Sequence, residues 1–456
     1  MNLLISLILS FYSPAVLYSA SGSFAAGKIT DTVVCQSDPS QSYALYIPAK
    51  GNKEALPVIY FFDPHADGAL PLRKYRMLAE TYGFILIGSN NSKNGNDWAV
   101  TENIWRNLSS DVQGRLNIDH SRIYTCGFSG GAKVASYMAI QHPGVKGVIA
   151  NGAGLPDGVS AGDFSFSFTA IAGEGDMNLT ELVAITKGLD KTRTRHRIIL
   201  FDGKHEWAPA NTMGKAFAGW QFDAMRDGLI PKDRTFISGY MVKSKSRVEV
   251  FARTSQLIKA EEECRLSSAF LDGLTPDVAW FKAKAASLAG NAQFLKERQA
   301  RESLLAKEEN IRAEYTQHFQ QGDMNYWTRT IAGLKTQAAS GSTEKAMYQR
   351  LLAYLSLAFY SISNQLINGN ENKGARHFIE LYKMADPANS EAWYFSAILD
   401  ARENHVQAAE GDLLKAVENG FRDRARLMRQ VEFQQLSPRI NFSRIESKMR
   451  GPVKGG

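Results

Sequence analysis

From residue 30 to about 228, short apolar runs alternate with stretches whose apolar residues recur every three or four positions. Val58-Ile59-Tyr60-Phe61-Phe62, Phe84-Ile85-Leu86-Ile87-Gly88, Ile123-Tyr124-Thr125-Cys126, Gly147-Val148-Ile149-Ala150, Phe168-Thr169-Ala170-Ile171 and Arg197-Ile198-Ile199-Leu200-Phe201 read as strands. The helical spacing falls between them, over 70–80, 104–116 and 130–141. Near-continuous apolar strands separated by helices predict an α/β architecture: a mostly parallel sheet of about eight strands, covered on both faces. Tyr43-Ala44-Leu45-Tyr46-Ile47 fits an antiparallel opening hairpin.

Beyond residue 240 the period of two disappears. Ala, Leu, Glu, Lys and Arg dominate, and 283–313 carries apolar residues at helical spacing. Gly228, Pro231 and Gly239 punctuate the change. The expected organisation is a leader over 1–25, an α/β domain over 26–235 and an all-α domain over 240–456. Two domains also suit a length of 456 residues. Within the helical part, Trp393, Ala397, Ala409 and Ala416 fall at offsets of 4, 12 and 7, and Ala375 stands 34 residues before Ala409. That spacing resembles degenerate tetratricopeptide-like repeats over about 348–421, with Tyr382, Ser396 and Asp400 departing from the pattern. A plain helical bundle is the alternative.

The leader is expected from an apolar run, Leu3 to Leu9, followed by small residues that suit cleavage after Ser21 or Ala25. No Lys or Arg precedes the run, and Pro14 opposes a stable spanning helix. The expectation is a periplasmic or secreted protein without a membrane span. A net charge of +7 raises the question of nucleic acid, but the cations are scattered among 46 acids, which favours a solvated surface and no nucleic-acid partner. Three cysteines make no disulfide framework: Cys126 reads as a buried small hydrophobe, and only Cys35 with Cys264 offers a pairing.

Gly127-Phe128-Ser129-Gly130-Gly131 carries the chemistry. It matches G-x-S-x-G, follows an expected strand and opens an expected helix, the context of a nucleophile elbow. A structural strand-to-helix turn would share the glycines; the placement favours Ser129 as nucleophile. The helix start offers the Gly130 N–H to a developing oxyanion. A serine hydroxyl needs a base. Among His65, His120, His142, His196 and His205, the last lies in a glycine-bearing loop after the final strand, on the edge the elbow occupies. The orienting acid is expected between Ser129 and His205, which selects Asp176 in Gly173-Glu174-Gly175-Asp176; Glu174 comes second and Asp202 is disfavoured. After the third strand, Asp63-Pro64-His65-Ala66 should supply a second oxyanion donor, and because proline has no N–H the candidates are His65 and Ala66. Phe128, Trp207 and Asn91 are candidate substrate contacts, the last within a polar run that includes Asn94, Asn96 and Trp98. No motif implies a metal or an organic cofactor.

Tyr43 to Pro48, the elbow, Gly175-Asp176 and Gly203-Lys204-His205-Glu206-Trp207, in that order, resemble the esterase branch of the α/β-hydrolases that includes feruloyl esterases and polyhydroxybutyrate-depolymerase-like proteins. The resemblance covers less than half of the chain. It implies a serine esterase with Ser129, Asp176 and His205 as nucleophile, acid and base, acting on a small-molecule or polysaccharide-linked ester. Another class of function stays open: a helical scaffold for a protein partner, carrying a degraded hydrolase domain.

Overall fold

The computed structural model describes residues 24–449, except 52, 322 and 438. All but the last two residues of the expected leader lie outside the described residues. The apolar runs build one eight-stranded sheet: β1 (Ile29–Val34), β2 (Ser42–Tyr46), β3 (Leu56–Phe62), β4 (Ile85–Ser89), β5 (Ile118–Phe128), β6 (Val145–Asn151), β7 (Ser167–Gly173) and β8 (His196–Phe201). Their spatial order is β1-β2-β4-β3-β5-β6-β7-β8. β2 runs antiparallel to both neighbours, as the opening hairpin required, and all other pairs are parallel.

Register decides where the loops meet. Phe62 pairs with Gly127, Phe128 with Asn151, and Gly173 with Phe201. The strand ends therefore line up, and the loops after β3, β5, β6, β7 and β8 share one edge. The alternation along each strand sorts the core into two layers. Val58, Tyr60, Phe62, Val148 and Phe168 face α2 (Trp98–Arg115), α3 (Gly130–Gln141) and α4 (Leu179–Leu189). Ile59, Phe61, Tyr124, Cys126, Ile149 and Phe201 face α1 (Ala69–Tyr82) and α5 (Ala210–Arg226). The three cysteines are free and buried. Cys35 and Cys264 fall in opposite layers, so the one pairing the sequence offered is not formed.

The last strand ends at Phe201, yet the apolar layer does not end near residue 240. It continues through α6 (Arg234–Arg253), α7 (Leu257–Leu271) and α8 (Val278–Ala289), with Val248, Cys264, Phe270, Phe281 and Leu288 packed in the same cluster as Trp220. α5 is consequently covered on both sides, with Phe217, Trp220 and Phe222 all fully buried. Charge ties the same elements together. Arg197 of β8 pairs with the buried Asp223 of α5 at 2.6 Å, and its guanidinium lies 5.0 Å above the Phe270 ring. Arg226 donates to the carbonyls of Ala269, Phe270 and Asp272 at 2.8–2.9 Å, closing the open end of α7.

The expected helical stretch over 283–313 is two helices. α8 stops at Ala289, and the Asn291 side chain accepts from the N–H groups of Gln293 and Phe294 at the start of α9 (Ala292–Gln321). α10 (Met324–Ala339), α11 (Lys345–Asn368), α12 (Asn372–Ala385), α13 (Ser390–Arg402) and α14 (Val406–Glu418) follow, then the short α15 (Arg424–Arg429), α16 (Val431–Leu436) and α17 (Phe442–Met449). Ala375, Ala397, Ala409 and Ala416 are fully buried where helices meet. Among the described residues no helix is long and apolar enough to cross a membrane.

Because Phe270 joins two sets of helices in one core, Phe270→Ala should lower the stability of the whole sheet region by about 3–5 kcal/mol. Urea unfolding followed by circular dichroism should show one shifted transition. A variant in which only a separate, late-chain transition moves would place α6–α8 outside the core.

Candidate active site

The elbow forms because two backbones touch. A Cβ on Gly127 would fall 2.0 Å from the carbonyl oxygen of Gly131, and one on Gly131 would fall 2.0 Å from that of Phe62. Only glycine allows α3 to start this close to β5 and β3. Ser129, between them, takes φ 54° and ψ −125°, a left-handed conformation costly for a residue with a side chain. Its N–H donates to the Asn151 carbonyl at 2.9 Å, and its carbonyl accepts from Ala132 at 2.9 Å.

Three of the residues singled out above come together. Ser129 Oγ lies 2.9 Å from His205 Nε2, and His205 Nδ1 lies 3.0 Å from Asp176 Oδ1. Asp176 is fully buried; its Oδ1 also accepts from the Asn178 N–H at 2.8 Å, while the Asn178 side chain donates to the Gly152 carbonyl at 2.7 Å. Glu174 and Asp202 do not face the imidazole: among the described residues, His205 meets Asp176 alone of the acids. The loops that carry Asp176 and His205 are stitched together by Gly175 N–H to the Gly203 carbonyl at 2.8 Å. Asn151, for which the local sequence gives no signal, holds the His205 loop: it accepts from Ala208 N–H at 2.8 Å and donates to the Glu206 carbonyl at 3.3 Å. Of the other histidines, His142 pairs with Glu102 and His196 with Asp190.

The other expectations fare differently. Phe128 does border the site, its ring centroid 4.7 Å from that of His205. Trp207 does not offer a binding face: it is buried, and its indole N–H donates to Asp63 Oδ2 at 2.9 Å. Asn91 is engaged in the fold, accepting from Ser42 N–H at 2.8 Å and donating to the Ser40 carbonyl at 3.2 Å. Its remaining surface lines a cleft of about 470 Å³ with Gln41, Asn96 and Asn103, whose walls include none of Ser129, Asp176 and His205. The loop after β3 is closed on itself. His65 N–H donates to Asp63 Oδ1 at 2.9 Å and Ala66 N–H to the Asp63 carbonyl at 3.1 Å, so neither is an unengaged oxyanion donor. Asn94 lies nearer: a Cβ on Gly130 would meet its side-chain oxygen at 1.9 Å. Its N–H donates to the Pro64 carbonyl at 2.9 Å, joining the loops after β3 and β4.

Asp63 is the electrostatic pivot of that loop. Burial disfavours its charge, but hydrogen bonding from His65 and from the Trp207 indole outweighs burial and holds the carboxyl below its ordinary range. In return Asp63, 3.7 Å from the exposed His65 imidazole, raises the pKa of that ring.

An antiparallel β2, a parallel remainder in this strand order, and a serine elbow after β5 decide the architecture. The chain has the α/β-hydrolase fold. No family model matches it. Acetylxylan esterase A of Emericella nidulans is 25% identical over 170 residues, 34% of this chain; the chain spans 56% of that relative's length. Among solved structures, a feruloyl esterase module from Clostridium thermocellum, complexed with sinapinate, is 11% identical at a TM-score of 0.35, covering 42% of this chain and 85% of that one. An S-formylglutathione hydrolase from Agrobacterium tumefaciens is 17% identical at a TM-score of 0.30, covering 36% and 83%.

Trp207→Phe deletes one donor to a buried carboxylate and should cost about 1.5–3 kcal/mol at neutral pH. Because the folded-state pKa of Asp63 is lowered, its contribution is present above the unfolded value, about 3.9, and is lost as pH falls through the folded value. The gap between wild type and variant in urea unfolding should therefore be full at pH 7 and shrink at pH 3. A gap independent of pH would remove Asp63 from this role.

Proposed function

We propose that the chain is an exported serine esterase that cleaves a carboxylic ester through an acyl-enzyme. The hydrogen-bonded series Asp176–His205–Ser129, at 3.0 and 2.9 Å, carries the proposal. His205 Nε2 removes the Ser129 proton as Oγ attacks the acyl carbonyl, then passes it to the departing alcohol. Asp176, held in place by Asn178, keeps Nδ1 protonated and stabilises the imidazolium that forms. Water, deprotonated by the same imidazole, attacks the acyl carbon, releases the acid and restores Ser129.

The first N–H of α3, at Gly130, is an oxyanion donor of the kind a helix start supplies. With the His65 and Ala66 N–H groups engaged in their own loop and the Asn94 N–H given to Pro64, the side-chain NH2 of Asn94, whose nitrogen lies 3.4 Å from where a Gly130 Cβ would stand, is the second donor in this reading. The likeness to an acetylxylan esterase supports an ester on a small molecule or polysaccharide as substrate class, and the apolar leader supports export.

Ser129→Ala should keep the fold and lose ester hydrolysis by a thousandfold or more, the order seen for triad members. Fluorophosphonate labelling, read by mass spectrometry, should fall on Ser129 in the wild type and vanish in the variant. Retained p-nitrophenyl acetate hydrolysis would sink the assignment.

Asn94→Ala should lower kcat by roughly a hundredfold or more, with little change in KM, as for loss of one oxyanion donor. A wild-type kcat in that variant would return the second donor to the loop after β3.

A further inference from the structure

The helices beyond residue 290 hold the loop that carries Asp176. Glu308 on α9 is fully buried and lies between two arginines. Arg350 of α11 donates to its Oε2 through Nε at 2.8 Å and Nη2 at 2.6 Å, and Arg312 donates to its Oε1. Each arginine then directs a further N–H to the acid loop. Arg350 Nη1 donates to the Glu174 carbonyl at 2.6 Å, and Arg312 Nη2 to the Met177 carbonyl at 2.7 Å. Those two carbonyls bracket Asp176. The opposite side of the loop is tied to the neighbouring strand and base loop, by Glu174 N–H to Phe201 and Gly175 N–H to Gly203.

We propose that Glu308, Arg312 and Arg350 form a clamp that fixes the distance between Asp176 and His205, making the two arginines positioning residues for hydrolysis; the inference rests on the triad reading above. Energetics supports a geometric role. Two guanidiniums and a carboxylate out of water are costly to desolvate, and apolar side chains of similar volume often serve stability as well or better. What the ionic cluster adds is direction. Glu308 orients both forks, and a planar fork held on one side by a carboxylate presents its other N–H groups at set angles. The acid loop therefore has hydrogen bonds on both flanks, from elements far apart in sequence: Arg350 lies 176 residues from Glu174.

The test uses the full chain with Arg350→Gln and Arg312→Lys, each alone and combined with Asp176→Asn. Arg312→Lys keeps a cation against Glu308 but is shorter and loses the planar Nη2 that donates to Glu308 and Met177 together, so it decides by itself if Arg350→Gln does not fold. In folded variants with a near-native melting profile, kcat for p-nitrophenyl acetate should fall on the order of tenfold to a hundredfold while KM stays within about twofold, the pattern of a displaced catalytic group. In the Asp176→Asn background the same substitutions should cause no further loss, because the group they position is already gone. Folded arginine variants with wild-type kcat, or losses that multiply with Asp176→Asn, would overturn the clamp and leave the triad standing. An Asp176→Asn variant with undiminished kcat would overturn the triad and the clamp with it.

Discussion

At Gly131 the first turn of α3 lies against the carbonyl of Phe62 with no room for a side chain, and at Gly127 strand β5 lies equally close to that turn. The location of Ser129 follows from this pair of backbone contacts. Midway between the two glycines, Ser129 makes the turn from strand to helix in a left-handed conformation. The strain is held by the paired strands on either side, by the Ser129 N–H on Asn151, and by the helix that continues from it. Every other group at the edge is placed relative to that fixed point.

The loops around it are held from two directions. From within the sheet, Asn151 and Asp63 bind the loop that carries His205: one through its backbone on both sides of Trp207, the other through the Trp207 indole. From outside, α9 and α11 hold the loop that carries Asp176 through two arginines. The helices nearest residue 240 serve the core instead, where Phe270 and Arg226 join α5 to α7. The helical part of the chain thus plays more than one role. Its first three helices complete an apolar layer, and the next ones reach the rim of the site.

What could be read in the sequence was whatever local chemistry dictates. Apolar runs marked the strands, and G-x-S-x-G marked the elbow because a strand-to-helix turn that tight needs glycine on both sides. His205 and Asp176 were legible because each follows directly on a strand whose end shares the elbow's edge. Trp207 was misread for the opposite reason. Beside a histidine an exposed indole would suit a ligand, but its partner is Asp63, 144 residues earlier, and no local pattern announces that bond. α5 was not among the helices read from the sequence; its apolar residues are interrupted by Lys215, Gln221, Asp223 and Arg226, and the burial of Asp223 depends on Arg197, 26 residues earlier. The change of composition near 240 marks the end of strand, and packing runs on past it. The break at Gly290 was hidden because helix-forming residues lie on both sides of it, and the side-chain cap at Asn291 is a single residue.

The sandwiching of α5 also bears on how the chain reaches this state. One layer of the sheet stays uncovered on its far side until α7 and α8 have been made, roughly sixty residues after the end of α5. At ordinary synthesis rates of about 5–20 residues per second, that is an interval of several seconds. During it, Phe217, Trp220 and Phe222 belong to a growing polypeptide whose finished sheet cannot yet shield them. Such a surface is where a nascent chain sticks to its neighbours, so the wait for α8 is a window in which a holding chaperone has something to grip.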